Sequence, residues 1–102
     1  MPRLSSSIAV AASPTVTDLF RATDVGGADG PPAAALVVGA AATSAFPIAF
    51  RVEDPLTPVG ESFTLAPGSN MPVADRLGIK HVTAVGVGGA GTAEIAVVRT
   101  LR

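Results

Sequence analysis

A chain of 102 residues has room for one domain, because at that size roughly two thirds of the unfolded surface is buried and nothing is left for a second core. Eight acidic residues oppose seven basic ones for a formal charge of -1, neither sign clusters, and Lys80 is the sole lysine. The Lys/Arg face that nucleic acid or an anionic membrane demands is therefore missing, and with no Cys the chain has no disulfide framework, thiolate nucleophile or Cys-based zinc site. Hydrophobic residues make up 48% of the chain, but the excess is Ala and Val, with four Phe and no Trp or Tyr. Such a core is thin and aliphatic, a shortage that association with other subunits would relieve.

Eleven Gly and nine Pro fall between short apolar runs, the spacing of strands and turns. Residues 1–14 read as an extended N-terminal arm, since Ser5, Ser6 and Ser7 are poor core residues and Pro14 stops the pattern that Ile8 and Val10 begin. That arm is either a loose terminus or a strand added to a neighbouring subunit, which makes Ile8 and Val10 candidate interface residues. Its apolar run, Ile8 to Ala12, covers five residues against about 7–15 for a secretory signal core, so no signal peptide is expected, and no membrane span is either. The domain proper is then 15–102.

Between Thr15 and Thr23 two periods compete: Val16, Leu19 and Phe20 have helical spacing, whereas the Thr residues and Val16 favour the strand preferred here. Asp24 to Pro32 (DVGGADGPP) is a loop. Asp24 and Asp29 lack the alternating ligands and closing Glu of a calcium loop, so they read as turn residues. Ala33 to Ala42 is a strand, buried on both faces or laid against another subunit, because Val37, Val38 and Gly39 oppose a helix. Phe46, Ile48, Phe50 and Val52 then alternate with Pro47, Ala49, Arg51 and Glu53, which predicts a half-buried strand with both rings inward and Pro47 at its start or on an edge.

Asp54 to Gly60 (DPLTPVG) reads as a Pro-rich connection, and Glu61 to Ala66 alternates again with Phe63 and Leu65 inward before a turn at Pro67 and Gly68. Asn70 to Leu77 reads as irregular, a short strand followed by one helical turn over 74–77. Last comes a strand, Gly-rich turn and strand over 79–98, IKHVTAVGVGGAGTAEIAVV, read as a hairpin with Val82, Val85, Ile95 and Val97 closing the core. Gly88 and Gly89 at its tip are the other candidate interface residues. The whole predicts an all-β chain: an antiparallel β-sandwich, jelly-roll-like, of six to seven short strands.

The chemistry-bearing patterns are weak. Gly86, Gly88 and Gly91 match GxGxxG, but that motif needs a following helix, and the residues after Gly91 read as a strand. His81 is the sole His, so no second imidazole exists for a metal site, and a Ser–His–Asp triad would have to be built around it without a GxSxG elbow. Glu53 and Asp54 are adjacent at a strand end and point apart. No Trp or Tyr offers a stacking platform for sugars or bases. No residue is thus assigned to catalysis, a cofactor or a metal, and no small-molecule substrate is implied. An enzyme would depend on His81.

The order FPIAFRVE, Pro/Gly spacer, SFTLAPGSN, MPVADRLGI and HVTAVGVGGAGTAEIAVV, over about Phe46 to Thr100, resembles small β-sandwich structural proteins of tailed-phage virions. These include head decoration or cement proteins and head-fibre bases. The resemblance implies a non-enzymatic protein on the outer capsid surface, made in the host cytoplasm, often trimeric, whose partner is the major capsid protein. The rival expectations are a tail, neck or fibre component of the same virion and a secreted sandwich-type adhesion module.

Overall fold

The computed structural model describes residues 6–54 and 57–100. Eight strands run through them: β1 Ser6–Val10, β2 Thr17–Arg21, β3 Ala33–Ala40, β4 Ile48–Asp54, β5 Thr57–Leu65, β6 Asn70–Ile79, β7 His81–Gly86 and β8 Gly91–Thr100. One 3-10 turn, Thr23–Val25, interrupts the link from β2 to β3. The strands form two four-stranded antiparallel sheets, in the order β1-β8-β3-β6 and β2-β7-β4-β5. Every link except β4 to β5 crosses from one sheet to the other, the jelly-roll arrangement. The expected all-β sandwich is present, with eight strands described rather than six or seven.

Its core lies between the sheets. One sheet contributes Val10, Leu36, Val38, Ala93, Ile95 and Val97, and the other Leu19, Phe20, Ile48, Phe50, Val52, Val82 and Ala84. Phe63 closes one flank, its ring stacked on Phe50 with centroids 5.6 Å apart. Burial follows strand alternation: in β4, Ile48, Phe50 and Val52 are buried while Ala49 and Arg51 face out. In β2 a register shift between Asp18 and Phe20 lets the consecutive Leu19 and Phe20 both turn inward. That bulge explains why the segment mixes helical and strand spacing.

Several local expectations are corrected. The helical turn expected at 74–77 is part of β6, whose pairing with β3 runs from Asn70 to Ala74 and resumes at Ile79. Residues 57–60 of the expected connection belong to β5. Both strands that contain a proline, β5 with Pro58 and β6 with Pro72, lie at sheet edges, where a missing N–H costs no ladder bond. The stretch 79–98 is not a hairpin: β7 and β8 belong to different sheets, so the turn between them bridges the sandwich. Val85 is half-buried on the outer face, because Val82 and Ala84 take the inward positions of β7. Residues 6–10 of the segment read as an arm form β1, paired with β8 of the same chain, and Val10 is 2% exposed.

Candidate interaction surface

Four crossing links meet at one end of the sandwich: residues 11–16, 41–47, 66–69 and 87–90. Backbone hydrogen bonds lace them together. The Ser13 N–H donates to the Gly86 carbonyl and the Gly86 N–H to that of Ala11, at 2.9 and 2.8 Å; the Val87 N–H donates to Pro47 at 2.9 Å and the Gly68 N–H to Ala40 at 2.9 Å. Ser44, 7% exposed, adds a side-chain tie. Its hydroxyl donates to the Phe46 carbonyl at 2.7 Å and accepts the Thr92 N–H at 3.1 Å, pinning 41–47 to β8.

Two glycines shape this end. A Cβ on Gly89 would run into the Phe46 ring, with Cδ2 at 2.7 Å, and Gly88 has φ +92. The Gly-rich link is therefore a flat seat for Phe46. Phe46 does not point into the core as its alternation predicts, because β4 begins only at Ile48 and the chain is still crossing between sheets at Phe46, which is 39% exposed.

Neither Gly88 nor Gly89 carries a side chain to offer a partner. What the end presents is Phe46 together with Val87, 42% exposed, and Val16, 58% exposed. Among the described residues, three of the five large hydrophobics most open to solvent thus belong to these links. Moreover, the sequences AASPTV, AATSAFP, APGS and VGGA contain no titratable residue. These charge-free stretches are legible in the sequence, but nothing there brings them together.

The opposite end is charged. Lys80, which links β6 to β7, pairs with Asp24 at 2.9 Å, and the Asp29 carboxylate accepts the Arg21 N–H at 2.9 Å. The Arg21 side chain also donates through Nε to the Val25 carbonyl at 3.2 Å. Asp24 and Asp29 thereby hold the 22–32 loop, the turn role expected of them. Polar groups continue across the outer face of the β2-β7-β4-β5 sheet, where Asp18, Thr83, Arg51 and Ser62 form one cross-strand row. On that face His81 Nε2 lies 2.8 Å from Asp18 Oδ1, and Arg21 lies 3.9 Å from the same carboxylate.

The outer face of the other sheet carries one small apolar row, Ala96, Val37 and Pro72, beside a polar one, Ser7, Glu94, Gly39 and Asn70. Of the candidate interface residues, Val10 is committed to the core, Ile8 is half-buried against it, Gly88 is exposed and Gly89 lies half-buried beneath Phe46. Ile8 and Val10 share an edge strand at one side of the sandwich, whereas Gly88 and Gly89 belong to its charge-free end. Among the described residues, no three of His, Asp and Glu are grouped to hold a metal ion. No described helix is long and apolar enough to cross a membrane.

No protein-family model matches the chain, and no curated protein matches it. Among solved structures, it is similar to a chain reported under "Bacillus endospore appendages form a novel family of disulfide-linked pili", with a TM-score of 0.52 and 18% identity over 96% of this chain and 88% of that one. The likeness is one of fold.

Proposed function

We propose that the protein is a non-enzymatic structural subunit whose work is done by contacts with neighbouring proteins. The observation that carries this reading is the charge-free end, where four tied links present Phe46, Val87 and Val16 to solvent. An apolar patch held this rigidly loses little freedom on binding, and without charge it fits an uncharged protein surface rather than nucleic acid or an anionic lipid.

The assembly we favour is the phage capsid, with the major capsid protein as partner and homo-oligomers of this chain on its outer surface; the resemblance of residues 46–100 supports that choice. A fibre subunit is the second reading, favoured by the fold shared with the pilus chain. This chain has no Cys, so a fibre of it could not be held by disulfides. Mass analysis and microscopy of purified virions encoding the chain should find it in many copies on heads, tailless heads included. Absence from heads, with filaments forming from the purified protein alone, would transfer the reading to a fibre.

A further inference from the structure

A sandwich of two open sheets has four edges, and in this chain three are blunted. β5 carries Pro58 and β6 carries Pro72, each lacking an N–H to offer a new strand. β2 carries Asp18 and Arg21 together with its bulge. The fourth edge, β1, has the sequence SSIAV, without proline, charge or register shift. We infer that β1 is a strand-addition edge and that its partner is the β1 strand of a second copy, paired antiparallel about a two-fold axis.

Elimination names the partner. A strand added to β1 must itself have an unblocked edge, and among the described strands of another copy only β1 does. Pairing like with like requires two-fold symmetry. The pleat then fixes the register: residues facing each other across adjacent strands must point to the same side of the sheet, so the axis passes through a residue rather than between two. Full overlap of residues 6–10 places it at Ile8. Ile8 then faces its own counterpart on the core side, where it is half-buried in one copy alone, and Ser7 faces Ala9 of the second copy on the outer side. The two four-stranded sheets become one of eight strands. This two-fold pair replaces the trimer that the family resemblance implies, and it rests on the topology of the edges rather than on which assembly the protein serves.

Ser7 and Ala9 are both exposed, opposite Glu94 and Thr92 of β8, so charges placed there leave the core intact, and only Ser7→Glu adds a like charge, to Glu94, within one copy. The test uses two double variants of the full chain, Ser7→Lys with Ala9→Lys and Ser7→Glu with Ala9→Glu, followed by sedimentation velocity over a concentration series. Wild type should shift with concentration towards the dimer, while each variant, facing like charges across the axis, should remain monomeric and should still unfold in one cooperative transition. An equal mixture of the two should recover the dimer. A wild-type chain that stays monomeric throughout, association that survives in either variant alone, or a mixture that fails to associate would each overturn the inference. Decoration of heads by a monomeric chain would sink this pairing and leave the capsid-surface role standing without its homo-oligomer, whereas a dimer absent from any particle would do the reverse.

Discussion

Gly86 and Gly89 are three positions apart and neither has room for a Cβ, yet they should respond differently to substitution. At Gly86 the added atom meets the backbone carbonyl of Gly89, with the Ala11 carbonyl, which accepts the Gly86 N–H, 3.3 Å away, so main chain has to shift to make room. At Gly89 it meets only the Phe46 ring, which is partly in solvent and can swing aside. Gly86→Ala should therefore lower stability by about 1–3 kcal/mol and Gly89→Ala by less than about 1 kcal/mol, read as denaturation midpoints. Gly89→Ala should nevertheless weaken assembly, because Phe46 loses its seat. Ser44→Ala should cost about 1–3 kcal/mol, since it strands the Thr92 N–H near the core. None of this was legible from the alternation at 46–52, which assigns Phe46 to the core. The ring's position depends on a link 40 residues further along the chain.

Strands show which signals carry and which do not. The alternation of β4 and of the second half of β5 reads directly because each has one face on the core and one in solvent, the condition under which a period of two appears. β6 gives no such signal: Pro72 and Gly78 interrupt its pattern, and its strand state is imposed by pairing with β3. At the centre of one sheet β3 is flanked on both sides, and Leu36, at 1% exposure, anchors it; Leu36→Ala should cost about 2–5 kcal/mol in chemical denaturation. The edge prolines make the opposite kind of prediction. Pro72→Val supplies an N–H on an exposed edge and keeps the side chain apolar, so self-association measured by light scattering should rise while the monomer fold is kept. Unchanged scattering would mean that Pro72 does not guard that edge.

The whole molecule is polarised. Its described titratable groups lie at one end and on the outer faces of both sheets, whereas the four separated links that build the other end have none. Binding through that end should be nearly independent of salt, because no exposed charge pairs are made there to be screened. Particle occupancy measured between low and high ionic strength should stay level. A single charge at its centre, Phe46→Asp or Val87→Asp, should abolish occupancy with the unfolding midpoint little changed; steep salt dependence, or normal occupancy of both variants, would place the contact elsewhere.

By itself the sequence determined that the chain is one β-rich domain without Cys or a basic face, because these follow from composition and from a period of two. It also predicted that a strand, not the helix a nucleotide motif needs, follows the GxGxxG spacing at Gly86, and β8 is that strand. Only the tertiary structure decided that the Gly-rich link crosses between sheets, that the N-terminal segment is an edge strand of the sandwich, and that four uncharged links share one end. Those facts are non-local. In a jelly roll most strands pair with partners far away in sequence, so the neighbours that give a loop or an edge its surroundings lie outside any local window of residues.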